Sequence, residues 1–258
     1  MNAIFYKILM KIRPAIFGSM LKRLFRIKRR ILVSENFSFF IDPVSDFGLS
    51  MLRDGFYENE LKKYIDSLLG QGDTFIDLGA NEGYFSILAS KAVGDSGKVI
   101  CIEPQSRLRQ VIHMNISLNS INNVLHLQYV ISNINEIAEL YLAPSTNTGS
   151  SGLTRRTKYK LPFEIVPSFS LDRIFNLLSL SKVKLIKIDV EGHEHEVIFG
   201  SAQLFEDQKI ENIALEYHPN ELLSKGSSVE KIDTFLKSCG YIGKNLDGFV
   251  VYSISTQG

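Results

Sequence analysis

Short apolar runs alternate with amphipathic stretches along most of the chain. The runs TFIDLG, KVICIEP, VLHLQYVIS, KLIKIDV, NIALEYH and FVVYSI end at Gly, Pro or polar residues, which is typical of strands. The stretches EGYFSILASKAV, residues 105–119, SLDRIFNLL and VEKIDTFLKSCG lie between or beside them and carry helical spacing. Apolar strands that alternate with helices predict an α/β fold, with a mostly parallel sheet covered by helices on both faces.

The first 70 residues follow a different pattern. Residues 31–43 alternate well enough to predict a hairpin before Pro43, and residues 53–69 have the apolar spacing of a helix. EIAELYLA resembles an antiparallel or edge strand rather than part of the parallel set. We therefore expect three parts: an N-terminal segment (1–30), a hairpin with a helical cap (31–70) and the main domain (71–258).

The N-terminal segment is amphipathic and basic. Apolar positions recur at helical spacing before Pro14, which should bend or end the helix: Ile4, Phe5, Ile8, Leu9, Ile12 and, beyond it, Ile16. Residues 1–30 contain nine Lys or Arg and no Asp or Glu, leaving 20 basic and 28 acidic residues elsewhere, a net charge of −8. The acidic body argues against a nucleic-acid partner. The basic segment predicts peripheral contact with an anionic membrane, a helix docked on the body, or a disordered basic tail.

The remaining bulk features favour a cytoplasmic protein, with peripheral contact to the inner face of the membrane as a further expectation. The two cysteines are far apart and predict free thiols, as in a reducing compartment. We find neither a signal peptide nor an uncharged run of the roughly 20 residues that a membrane span requires. The polar stretch 144–160 predicts a disordered loop or a lid over a site.

A glycine-rich turn follows the first strand of the main domain. FIDLGANEGYFS has the order strand, turn, helix, but its D-x-G-x-x-x-G spacing differs from the G-x-G-x-x-G of pyrophosphate sites. Asp77 at the strand end favours a cationic ligand, and Glu103 at the end of the next strand can accept hydrogen bonds from ribose hydroxyls. Gly79 and Gly83 leave room for a ligand and for close helix packing. Together they predict an adenosyl donor, S-adenosyl-L-methionine.

These blocks resemble the FkbM family of methyltransferases within the class I Rossmann-like fold. The matching pieces are GFYENE, FIDLGANEGYFS, VICIEP, HMNISLN, SLD, IKIDVEGHE and ALEYH, which cover roughly residues 50–220. The resemblance implies a seven-stranded, mostly parallel sheet and O-methylation of sugars, glycolipids or polyketide-type hydroxyls. The resemblance also implies that the donor is bound by Asp77, Gly79, Ala80, Asn81, Gly83 and Glu103. To these we add the neighbouring Tyr84 and Pro104, and Ser132.

The acceptor side should lie at the ends of the fourth and fifth strands. Asp189 ends one, and Glu216 followed by His218 ends the other, so the three side chains are expected to converge. One interpretation is a Mg²⁺ site from Asp189, Glu216 and His218; another is a metal-free site with His193 or His218 as general base; a third is a structural role. No D/N-P-P-Y/F motif follows Asp189, which argues against a flipped base as substrate.

The stretch EGHEHEV is dense in ligand-type residues without forming a metal site by itself. His193 and His195 are two residues apart, so on a helix they point about 200° apart and cannot share one ion. The glutamates of this stretch are expected to begin a helix, where the dipole favours negative charge. Asp189, His193, Glu216 and His218 are therefore the predicted catalytic set, and no resident metal is assigned.

The sequence predicts an S-adenosylmethionine-dependent O-methyltransferase that acts on a hydroxyl of a saccharide, a glycolipid or a related metabolite. Two alternatives remain open at this point. One is an oxidoreductase that binds NAD or a nucleotide sugar, and the other is a non-catalytic adenosyl-binding protein. Mg²⁺ is a further cofactor alternative, and the sequence leaves the oligomeric state undetermined.

Overall fold

The computed structural model describes residues 3–12, 15–153 and 162–255. The strands are β1 Arg30–Ser34, β2 Phe37–Ile41, β3 Thr74–Leu78, β4 Lys98–Ile102, β5 Val124–Leu127, β6 Val130–Ile131, β7 Ile137–Tyr141, β8 Phe163–Phe169, β9 Leu185–Ile188, β10 Asn212–Glu216, β11 Tyr241–Leu246 and β12 Phe249–Ile254. The α-helices are α1 Ala3–Lys11, α2 Ala15–Leu24, α3 Asp46–Asp54, α4 Asn59–Leu68, α5 Tyr84–Val93, α6 Ser106–Leu118, α7 Leu171–Leu177, α8 Glu194–Phe199, α9 Ala202–Glu206, α10 Pro219–Ser224 and α11 Val229–Ser238.

A seven-stranded sheet forms the centre of the part of the chain that the structure describes. Its order is β11-β12-β10-β9-β3-β4-β5, and all neighbouring pairs from β10 to β5 are parallel. β12 runs antiparallel to β10, and β11 antiparallel to β12. The predicted α/β fold with a mostly parallel, seven-stranded sheet is confirmed.

The apolar strands bury side chains on both faces of this sheet. Ile76 and Leu78 pack in one core cluster together with Ile174 of α7, whereas Phe75 packs in the other with Phe85 of α5. Successive side chains of β3 therefore point to opposite faces of the sheet, and both faces are covered by apolar residues. This alternation also means that Asp77, which alternates with Ile76 and Leu78, points to the same face as Phe75.

The strand predicted from VLHLQYVIS divides between two sheets. β5 is an edge strand of the central sheet, and two residues later β6 pairs with β8 in a separate three-stranded sheet of order β6-β8-β7. β7 is antiparallel to β8, as the pattern of EIAELYLA indicated. The apolar pattern is continuous across 124–131, so only the tertiary pairing reveals the division.

The N-terminal parts contain the predicted hairpin, β1 paired antiparallel with β2. The helix predicted over 53–69 is instead two helices: α3 ends before Gly55, and α4 begins after Glu58. Gly55 and Glu58 both have left-handed backbone conformations, with φ of 82° and 45°, which a continuous helix cannot contain. The division of the chain into 1–30, 31–70 and 71–258 stays a prediction.

The N-terminal helices α1 and α2 are docked on the body by one face. Tyr6 and Leu9 are buried in a small cluster with Val44 and Leu49. The expected break falls between the two helices, and Pro14 itself lies outside the described residues, as does the side chain of Ile16. No helix among the described residues has the length and apolar character to cross a bilayer. Cys101 and Cys239 are free thiols, as expected.

Candidate active site

A cavity of about 290 Å³ opens at the carboxyl ends of β3, β4, β9 and β10. Its walls include the turn after β3, the ends of these strands, the start of α3, the cap before α4, residues 129–131 and the polar loop after β7. Of the predicted site residues, those that line it are Gly79, Ala80, Asn81, Tyr84, Glu103, Pro104, Asp189, His193 and Glu216. Asp77, Gly83, Ser132 and His218 are not among the described lining residues.

The turn after β3 is shaped by the neighbouring strand. Gly79 has a φ of +73°, and a Cβ there would lie 1.8 Å from the carbonyl oxygen of Asp189. Glycine is therefore required for the turn to pass the end of β9. A Cβ on Gly83 would lie 3.6 Å from the side chain of Ile112, which is an ordinary contact distance. The preference for glycine at this position therefore comes from its φ of +82° and not from lack of space.

Glu103 fastens this turn to the next strand. It is buried; Oε2 accepts a hydrogen bond from the Asn81 backbone N–H (2.8 Å), and Oε1 accepts two from the backbone and side chain of Gln105 (3.0 Å each). Burial raises the pKa of Glu103 to about 7, against the effect of these hydrogen bonds. A carboxylate has about four acceptor sites, so lone-pair capacity remains for a ligand hydroxyl. The carboxylate thus positions the turn and still faces the cavity.

Asp77 lies behind the cavity wall and is fully buried. Its Oδ2 accepts a hydrogen bond from Ser86 Oγ (2.7 Å), while Oδ1 has no hydrogen-bond partner and lies 3.8 Å from the Nζ of Lys187. Burial raises the pKa of Asp77, and the attraction of Lys187 opposes this. The positive charge beside Asp77 thus comes from Lys187 of the same chain. Contact between Asp77 and a bound donor stays a prediction.

Lys187 is the main candidate functional residue that the sequence did not lead us to expect. It lies on β9, is buried, and places Nζ 3.1 Å from Asp189 Oδ2. Burial acts to lower its pKa, but the attraction of Asp189, Asp77 and Glu58 outweighs burial and raises it. The sequence did contain a signal: a lysine inside an apolar parallel strand must be paired, and the period of two puts Lys187 and Asp189 on one side.

Three carboxylates face the cavity on its acceptor side. Asp189 and Glu216 follow or end neighbouring parallel strands, and Glu58 enters from the cap before α4. Burial and then the charge of Asp189 raise the pKa of Glu216 to about 8, and burial raises that of Glu58 to about 7. Oε2 of Glu58 has no hydrogen-bond partner. Lys187 is the one lysine or arginine among the described lining residues, so the site favours bound protons or a cationic ligand.

His193 is neutral and engaged on both ring nitrogens. Nδ1 lies 2.6 Å from Lys225 Nζ, and Nε2 lies 2.9 Å from Ser132 Oγ. Burial lowers the pKa of His193 to about 4, with Lys225 adding to the effect and Glu196 opposing it. An ammonium can only donate, so Nδ1 accepts from Lys225 and Nε2 donates to Ser132. The lone pair that a general base needs therefore faces Lys225 in this arrangement.

His218 is held in an ion pair beneath the cavity. Its Nδ1 lies 2.7 Å from Oε1 of Glu194, which also accepts the Gly192 backbone N–H, and its Nε2 lies 3.7 Å from Glu191. Burial acts to lower the pKa of His218, but the hydrogen bond and charge of Glu194 raise it to about 9. His218 is therefore protonated near neutral pH. Glu194 begins α8, as expected, and is also the buried partner of this imidazolium.

Ligand atoms of Asp189, Glu216 and His218 lie within 4.8 Å of one another, close enough to surround one divalent ion. Two contacts compete with such an ion. Lys187 already occupies one side of Asp189, and His218 would have to lose its proton before it could act as a ligand. The carboxylate oxygens of Asp189 and Glu216 are therefore suitable ligands for a cation, but the protonated imidazole of His218 is not a suitable ligand at neutral pH.

The described part of the polar loop covers the donor turn. Thr148 donates a hydrogen bond from Oγ1 to Oδ1 of Asn81 (2.8 Å), and its carbonyl oxygen accepts one from Gln105 Nε2 (3.1 Å). Asn147, Gly149 and residues 151–153 line the cavity. Residues 154–160 of the predicted loop lie outside the described residues. The lid interpretation of residues 144–160 stays a prediction.

A family comparison decides between the alternatives that the sequence left open. The Methyltransferase FkbM domain matches residues 77–242, which is more than half of the chain. The chain belongs to the FkbM methyltransferase family. It is an S-adenosylmethionine-dependent methyltransferase, in agreement with the donor turn and the sheet order described above. The match does not include Glu58, which lies before its first residue.

Solved structures of other methyltransferases resemble this FkbM-family chain only distantly. Precorrin-6y C5,15-methyltransferase from Geobacter metallireducens has 15% identity and a TM-score of 0.45, over 79% of this chain and 91% of that one. An S-adenosylmethionine-dependent methyltransferase from Aquifex aeolicus has 18% identity and a TM-score of 0.43, over 79% and 92%. TYW2 of M. jannaschii, solved with AdoMet, has 14% identity and a TM-score of 0.43, over 88% and 85%. No curated protein sequence matches the chain significantly.

Proposed function

We propose that this FkbM-family enzyme methylates a hydroxyl group of a saccharide, a glycolipid or a related metabolite. The observation that carries the proposal is the grouping of Asp189, Glu216 and Glu58 in the same cavity as the donor turn. Several carboxylates can accept hydrogen bonds from the several hydroxyls of a sugar, whereas they repel phosphate groups. Aromatic lining residues such as Phe47, Tyr57 and Tyr129 offer faces for the apolar side of a sugar ring.

We assign the proton acceptor to Glu216. The acceptor oxygen attacks the methyl carbon, the carbon–sulfur bond breaks with its electron pair passing to sulfur, and the hydroxyl proton passes to the Glu216 carboxylate. A base is most effective with a pKa near the working pH, and the pKa of Glu216 is about 8. The sulfonium charge of the donor favours the ionised form of Glu216, so donor binding itself prepares the base.

The histidines support this assignment by their contacts. The Nδ1 lone pair of His193 accepts a hydrogen bond from Lys225, and His218 already carries its proton. Lys187 holds the Asp189 carboxylate in place, so Asp189 can orient the acceptor hydroxyl. Glu58 approaches from the cap and can accept a hydrogen bond from a second hydroxyl through its unpartnered Oε2.

The proposal is tested with radiolabelled S-adenosylmethionine and a lipid and glycan extract of the host. We expect label in a hydroxyl-bearing glycan or glycolipid, and a loss of about 10²–10⁴-fold in turnover for Glu216→Gln, the range typical of a removed general base. Calorimetry should show S-adenosylhomocysteine binding to both proteins and no NAD binding to either. Label on a nitrogen or carbon atom of the product would contradict O-methylation.

A chelator tests the metal alternative in the same assay. Turnover that survives chelation supports the metal-free mechanism with Glu216 as base. Turnover that is lost on chelation and restored by Mg²⁺ would contradict it, and would assign the ion to Asp189, Glu216 and His218.

A further inference from the structure

The two N-terminal helices expose a row of large apolar side chains to solvent. Met20 lies three residues after Phe17 and four before Leu24, so these three share one face of α2, and Ile4 and Ile8 share one face of α1. All five side chains are exposed. Single exposed apolar residues are common on proteins, but aligned rows on two adjacent helices mark an interaction surface.

This exposed face is separate from the face that docks the helices on the body. Tyr6 and Leu9 are buried in the cluster with Val44, whereas the residues of the exposed face do not belong to this cluster. The helices also cross closely, because a Cβ on Gly18 would lie 2.7 Å from the Leu9 carbonyl oxygen. The exposed rows therefore belong to a docked pair of helices rather than to a free tail.

The charge around the exposed face is of one sign. Residues 1–30 contain no acidic residue. The exposed basic residues that neighbour the apolar face in sequence are Lys7, Lys11, Arg23, Arg26 and Lys28. An apolar row with a basic border complements an anionic lipid surface, in which apolar side chains enter the headgroup region and basic ones pair with lipid phosphates. A second copy of this chain would instead bring two basic faces together.

The same segment is attached to the wall of the cavity. Arg29 forms a bidentate pair with Glu82 (2.7 and 3.1 Å), and Glu82 lies in the donor turn and lines the cavity. Lys22 pairs with Asp42, just before α3, whose first two residues also line the cavity. The N-terminal helices and the cavity are thus joined by direct contacts through two short segments.

We infer that the exposed face of α1 and α2 is a docking surface for an anionic membrane. Membrane docking holds the cavity beside the lipid headgroups, where an acceptor attached to a lipid is presented. The surface does not depend on which hydroxyl is methylated, so it can be tested without the acceptor.

The experiment measures sedimentation of the full chain with vesicles of phosphatidylcholine, with and without phosphatidylglycerol. The test variant combines Met20→Ser and Leu24→Ser, at positions that are 60% and 73% exposed. The matched control combines Leu177→Ser and Leu223→Ser on the body, at 62% and 65% exposed. We expect binding only to the anionic vesicles, weaker by about tenfold or more in the test variant and unchanged in the control.

A second variant tests the charge. Arg23→Glu with Arg26→Glu should weaken binding to anionic vesicles by about 30-fold or more, since each of the two basic residues near the surface contributes about 1 kcal/mol. Calorimetry with S-adenosylhomocysteine confirms that each variant is folded. Equal binding to neutral and anionic vesicles, wild-type binding by the Met20→Ser, Leu24→Ser variant, or a dimer that this variant dissociates would each overturn the inference.

Discussion

The donor side and the acceptor side of the cavity are built in different ways. The donor side comes from consecutive elements, β3, its turn, α5 and β4, with Asn81 and Glu103 joined across 22 positions. The acceptor side gathers Glu58, Lys187, Asp189 and Glu216 from three separate segments. A local site can be recognised as a motif, whereas a dispersed site exists only after the sheet has formed. Both sides contain a carboxyl with a raised pKa, Glu103 on the donor side and Glu216 on the acceptor side. Glu103 accepts three internal hydrogen bonds, whereas Oε2 of Glu58 on the acceptor side has no hydrogen-bond partner.

The largest expected effect comes from Lys187, which joins the two sides through Asp77 and Asp189. Lys187→Met leaves the buried Asp77 and the partly exposed Asp189 without their cation and should lower the free energy of unfolding by about 3–5 kcal/mol, measured by urea denaturation. Lys184→Met is the matched control, because Lys184 precedes the same strand and pairs with the partly exposed Glu211. It should cost at most about 1 kcal/mol. Adding Asp77→Asn to Lys187→Met should restore part of the loss; equal stability of Lys187→Met and wild type would refute the pairing.

Glu103 tests the donor side alone. Glu103→Ala removes the acceptor of the Asn81 and Gln105 backbone N–H groups, and charge-assisted hydrogen bonds contribute about 1.5–3 kcal/mol each. We expect S-adenosylhomocysteine affinity to fall by about 100-fold, measured by calorimetry. Glu139→Gln, at an exposed position on β7, should bind like wild type. A change of less than about threefold for Glu103→Ala would mean that the turn keeps its shape without this carboxylate.

The smallest expected effect is a pH dependence on the acceptor side. The pKa of Glu216 is about 8 in the folded protein and 4.5 as its ordinary value, so the folded state holds a proton that the unfolded chain releases in this window. Stability should therefore fall as pH rises from about 4.5 to about 8. Because Glu216 is partly exposed, we expect solvent screening to limit its contribution to about 1–2 kcal/mol.

Glu216→Gln removes this titration and should flatten the pH dependence of urea unfolding in the absence of donor. The control Glu139→Gln should follow the wild-type curve. Parallel curves for wild type and Glu216→Gln would show that Glu216 ionises at the same pH in the folded and unfolded chain.

The sequence by itself determined the parallel sheet and the donor turn. Apolar strands separated by helices leave few ways to bury both faces, and FIDLGANEGYFS places Gly79, Asn81 and Gly83 in one turn whatever the rest of the chain does. The sequence also located Asp189 and Glu216, because carboxyl ends of neighbouring parallel strands share one edge.

The tertiary structure decided which charged groups meet. The pairing of Lys187 with Asp77 depends on the register of β3 against β9, which no local pattern specifies. The ion pair of His218 with Glu194 and the contact of His193 with Lys225 depend on how the segment after β10 packs on α8. Glu58 reaches the cavity from the break between α3 and α4, where its left-handed backbone directly precedes the first turn of α4. Charge states follow from burial and partners, so they were fixed by long-range packing rather than by residue type.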